Sequence, residues 1–252
     1  MGPESTVEYY RLFMKAYQDE IDDGNYPELL INSINMRKML EMVSNKEWER
    51  LILFLSEAIK ALANAGADYV LIASNTPHIV FDELLALSPI PILSIVEETC
   101  RKAKALGLKK IGLFGTRVTM QTDFYAKVFE REGISVFVPN EDEQDYIHTK
   151  IFSELQSLVL KEETKTGLLL IVKRMIDEEG IEGLVLGCTE LPLILTQDEY
   201  GIKFLNTSKI HVESAIRERK KFCVNGQYYQ TKEMTVYAER KRHTGKGTCQ
   251  RL

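Results

Sequence analysis

Two similar segments, one in each half of the chain, constrain the fold more than any other feature of the sequence. The apolar run DYVLIA (68–73) leads into Ser74 with a threonine and a proline close behind, and EGLVLG (182–187) leads into Cys188 with the same followers. A short apolar run of this kind is typical of a buried strand. This internal similarity predicts two similar lobes, each with a strand that ends at a small side chain. The spacing is too loose for a solenoid repeat.

Apolar runs and stretches of helical periodicity alternate along the chain, which predicts an α/β fold with mostly parallel sheets flanked by helices. The pattern predicts strands over 27–35, 68–73, 91–95, 109–114, 134–138, 182–186 and 202–205. It predicts helices over 48–65, from about 96 to 106, over 119–132, twice within 142–179, and over 208–220.

Three parts follow from this pattern. We expect residues 1–95 and 207–222 to form the first lobe, and residues 96–206 to form the second. The active site is expected in the cleft between them. Residues 223–252 are polar and basic and lack clear periodicity, so we expect a loosely ordered tail.

Composition excludes several classes of protein. A net charge of -5 and 44% hydrophobic residues argue against a nucleic-acid binder or a disordered chain. No apolar run is long enough for a membrane span, and the first residues show no signal-peptide pattern. The four cysteines lack the spacing of a zinc site. We therefore expect free thiols, no metal and a cytoplasmic protein.

Ser74 and Cys188 both follow a predicted strand, where ligands of open α/β sheets bind. A helix N-terminus after each would bind a carboxylate. It would also lower the pKa of the Cys188 thiol, so that a thiolate forms near neutral pH. Alternatively, Cys188 is a small buried apolar side chain, as most free cysteines are. Position alone does not separate the two interpretations.

A set of short motifs runs from Met1 to about Lys220: MGPESTVEYY, SNTPH, GLFGTRVTM, LGCTELP and NTSKIH. In this order they resemble the aspartate/glutamate racemase family, in particular its broad-specificity branch. The resemblance implies a cofactor-independent racemase or epimerase of a small acidic amino acid, and a homodimer. It also implies an acid/base group on each face of the substrate α-carbon, here Ser74 and Cys188.

The same resemblance implies which residues bind substrate: Asn75, Thr76, Thr116, Thr119, Lys161 and Thr189. A solvated surface side chain is the alternative for Lys161. Arg37 is a weaker candidate for the distal carboxylate. His78 could orient Ser74, and His211 could position the site or simply pack. No residue is implied as a metal ligand.

Two features depart from the family pattern. Ser74 stands where the family has its first cysteine, and a hydroxyl is a much weaker base than a thiolate. We therefore expect a slow or one-sided enzyme. The family also has a strand before the MGPEST motif, which has no counterpart here. Either the reading frame starts late or another segment fills that slot. We expect low stability, with melting below the ~45–65 °C of mesophilic domains.

Two other functions remain open on the sequence. A single-cysteine decarboxylase or isomerase of a small dicarboxylic acid would need only Cys188. A catalytically impaired paralogue that binds an acidic ligand would suit both the change at Ser74 and the unusual tail.

Overall fold

The computed structural model describes residues 2–21, 23–224 and 227–228. The helices are α1 (Pro3–Ile21), α2 (Met36–Ser44), α3 (Trp48–Asn64), α4 (Phe81–Leu87), α5 (Ile95–Ala105), α6 (Arg117–Gln121), α7 (Phe124–Arg131), α8 (Glu141–Ser153), α9 (Glu162–Glu179) and α10 (Thr207–Phe222). The strands are β1 (Val70–Leu71), β2 (Ile92–Leu93), β3 (Lys110–Gly115), β4 (Ser135–Phe137), β5 (Gly183–Gly187), β6 (Lys203–Asn206), β7 (Cys223–Val224) and β8 (Gln227–Tyr228).

The second half of the chain forms a four-stranded sheet in the order β4-β3-β5-β6. All three pairings in this sheet are parallel. Both faces are covered, because Leu184 and Leu186 join one apolar cluster while Val185 joins another. This double burial explains why EGLVL is continuously apolar instead of alternating.

The sheet of the first half is much smaller. β1 and β2 pair in parallel over only two residues each. Helices α2 and α3 pack on one side of it, where Val70 and Ile72 join the cluster around Leu51. Helices α1 and α10 pack on the other side, where Tyr69 joins the cluster around Tyr9. The predicted α/β class with parallel sheets flanked by helices is thus confirmed.

Several details differ from the expectation. The segment 27–35 is not a strand: it holds a single bridge residue, Glu28, and otherwise has no regular structure before α2. A continuous helix over 119–132 was wrong, because the chain breaks between α6 and α7. Helix α1 was not predicted, although Tyr9, Phe13 and Tyr17 lie on its buried face.

Most of the tail predicted over 223–252 lies outside the described residues, apart from the short antiparallel pair of β7 and β8. Within the described part of the chain, every helix is too short or too polar to cross a bilayer.

Candidate active site

Ser74 and Cys188 line the same small cavity, of about 40 Å³. Each residue follows a parallel strand, and each is followed by a short 3₁₀ turn with proline in its first positions, Thr76–Val80 in one case and Leu191–Leu193 in the other. The other lining residues are Gly2, Ser5, Met36, Met39, Leu40, Asn75, Thr76, Thr116, Phe152, Gln156, Gly187, Thr189 and Glu190. The structure therefore brings the two predicted catalytic positions together.

Cys188 is buried, and its thiol donates a hydrogen bond to Glu190 Oε2 over 2.9 Å. Burial, followed by the charge and the hydrogen bond of Glu190, raises the pKa of the Cys188 thiol well above its usual value. Backbone N–H groups of Thr189 and Glu190 lower it less. The expected low pKa of Cys188 was therefore wrong, because desolvation and the adjacent carboxylate outweigh the turn dipole.

Glu190 is a candidate functional side chain that the sequence motifs did not single out. Its carboxylate is buried and lies within hydrogen-bond distance of three groups: the Cys188 thiol, the Thr189 hydroxyl at 2.9 Å and the Ser5 hydroxyl at 3.2 Å. Because the two hydroxyls are also 2.6 Å from each other and carry one proton each, one of them donates to the carboxylate and the other donates to its neighbour. These contacts hold the carboxylate against the thiol. The available signal was its place two residues after the cysteine in CTELP.

Ser5 reaches this group from the first turn of α1. Its Oγ lies 2.6 Å from Thr189 Oγ1, and it is buried. Thr189 lines the cavity, and its hydroxyl lies within hydrogen-bond distance of both Ser5 and Glu190.

Ser74 is held through its backbone. His78 Nδ1 donates to the Ser74 carbonyl oxygen at 3.0 Å, and His78 Nε2 accepts the N–H of Ile95 at 3.3 Å. These two bonds fix the tautomer of the imidazole. Burial lowers the pKa of His78 to about 4, so the ring is neutral at pH 7. His78 thus orients the Ser74 main chain, and among the described residues none forms a hydrogen bond with the Ser74 hydroxyl.

The threonines form a line of hydroxyl groups beside the cavity. Thr76 Oγ1 lies 3.2 Å from Thr116 Oγ1, which lies 3.1 Å from Thr119 Oγ1. Thr76 and Thr116 line the cavity, whereas Thr119 is fully buried behind Thr116. Thr116 also caps the N-terminus of α6.

The side-chain amide of Asn75 has structural partners. Its Nδ2 donates to Thr207 Oγ1 at 3.3 Å, and its Oδ1 accepts the Tyr125 hydroxyl at 2.6 Å. Asn75 lines the cavity, but these two bonds tie it to α10 and α7.

Lys161 lies outside the residues that line the cavity. It precedes α9, its side chain is 53% exposed, and its Nζ pairs with Glu154 Oε1 at 3.1 Å. Glu154 also binds Lys150 and Thr164. Arg37 is exposed in the first turn of α2, directly after the lining residue Met36.

His211 is buried between two partners. Its Nδ1 lies 2.9 Å from the Tyr9 hydroxyl and its Nε2 lies 2.9 Å from the Leu93 carbonyl oxygen. Burial lowers its pKa to about 3. These contacts match the packing alternative. Within the described residues, no group of three His, Cys, Asp or Glu side chains is arranged to bind a metal.

The family model described as Asp/Glu/hydantoin racemase matches residues 1–215. The chain belongs to this family. It is 23% identical over 220 residues to the broad-specificity amino-acid racemase RacX of Bacillus subtilis (strain 168), covering 86% of this chain and 93% of that protein.

Solved structures of related proteins have the same fold. A Pyrococcus horikoshii OT3 protein described as an aspartate racemase homologue is 36% identical, with a TM-score of 0.76 and coverage of 86% of this chain and 94% of that one. A Yersinia pestis protein proposed to be an Asp/Glu racemase is 27% identical, with a TM-score of 0.78 and coverage of 85% and 94%.

Proposed function

We propose that this protein is a cofactor-independent, homodimeric racemase or epimerase of aspartate or glutamate, and that it works unequally on the two enantiomers. The observation that carries the proposal is that Ser74 and Cys188, at the ends of two parallel strands, line one cavity. An acid and a base on opposite faces of the α-carbon are what proton removal and return require.

Cys188 is the base in this scheme. Its thiol proton passes to the carboxylate of Glu190, which already accepts the thiol hydrogen bond at 2.9 Å. The resulting thiolate takes the α-proton and leaves a carbanion on the substrate. The hydroxyls of Thr76 and Thr116 beside the cavity are placed to donate hydrogen bonds to the charge that develops on the substrate carboxylate.

Ser74 faces the other side of the substrate. It donates a proton to the carbanion, directly or through a water molecule that its hydroxyl holds. The alkoxide or hydroxide left behind takes a proton from solvent, and Cys188 and Glu190 release to solvent the proton that came from the substrate. In the opposite direction Ser74 would have to act as the base. The described residues supply no base that hydrogen-bonds its hydroxyl, so this direction is slow.

Two cations can bind the carboxylates of the substrate. Arg37 lies beside Met36 at the cavity and forms no ion pair with other described residues. Lys161 would first have to leave Glu154. Lys161 is half exposed, and the buried Glu154 would keep Lys150 and Thr164 as partners, so a bound carboxylate can compete for the lysine.

The test is exchange of the α-proton with deuterated solvent, measured by NMR for each enantiomer of aspartate and of glutamate. We expect exchange from one enantiomer to be at least tenfold faster than from the other. Equal, fast exchange from both would contradict the one-sided scheme, and no exchange from any of the four would contradict the racemase. Light scattering on the same sample tests the homodimer.

A second candidate is favoured by the lack of a second thiol at Ser74: a single-cysteine decarboxylase or isomerase of a small dicarboxylic acid. Release of carbon dioxide without inversion of configuration would support it. Calorimetric titration with aspartate separates both enzymes from a paralogue that binds the ligand without turnover.

A further inference from the structure

The separation of Ser74 from Cys188 is not set by strand pairing. Among the described strands, β1 pairs with β2 in one sheet, and β5 lies between β3 and β6 in another. Other contacts between the two sheets must therefore hold Ser74 and Cys188 at the distance that a reaction between them requires. Thr76 and Thr116 form one such contact at the cavity itself.

A longer contact between the two sheets is a chain of three hydrogen bonds. The hydroxyl of Tyr125, in α7, lies 2.6 Å from Asn75 Oδ1. The other end of this amide, Asn75 Nδ2, lies 3.3 Å from Oγ1 of Thr207, the first residue of α10. Thr207 Oγ1 in turn lies 2.9 Å from the carbonyl oxygen of Leu186 in β5.

The direction of each bond in this chain follows from the groups at its ends. The Leu186 carbonyl oxygen can only accept, so the single proton of the Thr207 hydroxyl points toward it. The Thr207 oxygen then accepts from the amide nitrogen of Asn75, and the amide oxygen faces Tyr125. Burial raises the pKa of Tyr125 well above its usual value, so its hydroxyl keeps the proton that it donates. The side-chain amide of Asn75 is therefore held in one orientation.

The whole chain of hydrogen bonds is shielded from water. Tyr125 and Thr207 are completely buried, and Leu186 and Asn75 are also buried. A hydrogen bond is stronger in such surroundings than in water, and a buried polar group without a partner is costly. Loss of either hydroxyl would leave a polar group of Asn75 unpaired and would free the amide to move.

The two ends of the chain lie next to the reacting positions, but in strands that are held differently. Asn75 directly follows Ser74, which comes after the short strand β1. Leu186 lies two residues before Cys188, and it is paired with Phe114 on one side of β5 and with β6 on the other. The hydrogen bonds thus anchor the weakly paired segment around Ser74 on the firmly paired strand β5.

We propose that Tyr125 and Thr207 are positioning residues, which act through Asn75 to hold Ser74 at a fixed separation from Cys188. Tyr125 and Thr207 are not among the residues that line the cavity, so their effect on the reaction is indirect. The consequence for catalysis rests on the proposed function, because only a reaction between the two faces depends on this separation. The anchoring of the segment around Ser74 does not rest on it.

The first test is amide hydrogen exchange, read by NMR at residues 74–76 in the absence of substrate. Tyr125→Phe and Thr207→Val each remove one hydroxyl and change little else. Thr99→Val is the matched control, because the Thr99 hydroxyl is also fully buried but bonds within α5, to the Ile95 carbonyl oxygen. We expect exchange at residues 74–76 to be about tenfold faster in Tyr125→Phe and Thr207→Val than in Thr99→Val. Thr207→Ser, which keeps the hydroxyl, should restore slow exchange.

The second test is α-proton exchange of the amino acid, with kcat and KM measured separately. Displacing a reacting group by about 1 Å can cost about 10²-fold in rate. We therefore expect kcat to fall by about tenfold or more in Tyr125→Phe and in Thr207→Val, while KM stays within about twofold of the wild-type value. The double variant should lose no more than the larger single loss, because both changes break the same chain. A wild-type kcat in either single variant, or losses that simply add in the double variant, would overturn the positioning role.

The two tests distinguish failure of this inference from failure of the proposed function. A wild-type protein that exchanges no α-proton would contradict the racemase, and amide exchange would still decide whether Tyr125 and Thr207 hold the segment around Ser74. If exchange at residues 74–76 is the same in Tyr125→Phe, Thr207→Val and Thr99→Val, the positioning role is wrong even in an active enzyme.

Discussion

The two strands that carry Ser74 and Cys188 are held very differently. β5 is paired on both edges, with β3 and β6, and all five of its residues are buried. β1 has two residues and pairs with β2 alone among the described strands. The two halves of the sequence resemble each other, but the sheet fixes the position of Cys188 far more firmly than that of Ser74.

The difference continues in the contacts of the two side chains. Cys188 has a carboxylate partner in Glu190, while the contacts of Ser74 with described residues are through its main chain, to His78 and to the Ile72 carbonyl oxygen. A one-sided enzyme would follow from this asymmetry. The second half of the chain supplies a buried strand, a thiol and a carboxylate beside it, and the first half supplies a hydroxyl.

The largest expected effect is the difference in α-proton exchange between the Cys188→Ala and Ser74→Ala variants. Cys188→Ala should lower α-proton exchange by about 10²–10⁴-fold, the usual contribution of an acid/base group. Ser74→Ala should cost less than tenfold in the fast direction, since a water molecule can replace the hydroxyl. NMR exchange rates measure both. Cys100→Ser is the control, because Cys100 lies in α5 against Val128. Equal losses in the two alanine variants would contradict the asymmetry.

The next effect is a loss of stability in acid. The pKa values of His78 and His211 are lowered to about 4 and about 3 by burial, against ~6.5 in the unfolded chain. The folded state binds fewer protons, so stability is complete above pH ~6.5 and falls as the pH decreases toward 4 and then 3. Each histidine contributes up to ~1.4 kcal/mol per pH unit.

The measurement is the urea midpoint at pH 7.0 and at pH 5.5. We expect the free energy of unfolding to fall by about 2–3 kcal/mol, and by about half of that in His211→Asn if this variant folds. Both histidines contact the β1–β2 region, His78 through Ser74 and His211 through Leu93. A stability that stays constant over this range would show that the two rings are not held neutral.

A matched pair of core substitutions compares the two sheets directly. Val185 in β5 is completely buried, and Val70 in β1 is 6% exposed. Val185→Ala should cost about 2 kcal/mol. Val70→Ala should cost about half as much, because Val70 lines a cavity of about 160 Å³ that lets the neighbouring side chains relax. Urea unfolding of both variants measures the difference. A larger loss in Val70→Ala would reverse the ranking of the two sheets.

The smallest effect concerns the proton acceptor of Cys188. In Glu190→Gln the charge that raises the pKa of Cys188 is lost, so the rise of kcat/KM with pH should move to lower pH. The rate at neutral pH should fall about tenfold, because the thiol proton has lost its acceptor. Glu130→Gln, an exposed glutamate, is the control. An unchanged pH profile would show that Glu190 acts only in packing.

Much of the fold and of the candidate site could be predicted from the amino-acid sequence. The strands around DYVLIA and EGLVLG, the turns that follow them and the meeting of Ser74 with Cys188 come from local apolar runs and from the rule that ligands bind at strand carboxyl ends. Strand lengths were less predictable. The segment 27–35 has a strand pattern but pairs with no strand among the described residues, because pairing depends on a neighbour that local sequence does not supply.

The direction of the pKa shift of Cys188 could not be predicted from the sequence. The turn after Cys188 was expected to favour a thiolate, yet the pKa of the thiol shifts upward. Burial, the largest cause, is a tertiary effect, whereas the charge of Glu190 comes from only two residues further along the chain. Ser5 comes from α1 to bind Thr189 and Glu190, and this contact spans nearly the whole chain.

The sequence by itself determined the α/β class, the family and the two strand ends that precede Ser74 and Cys188, because periodicity and short motifs are local properties. Only the tertiary structure decided how deeply Cys188 and Glu190 are buried, that Ser5 of α1 lies against Thr189 and Glu190, and that His211 lies between Tyr9 and Leu93. Each of these depends on segments that are distant in the chain, and at a buried site of low dielectric constant the neighbouring groups shift the pKa of a thiol or an imidazole strongly.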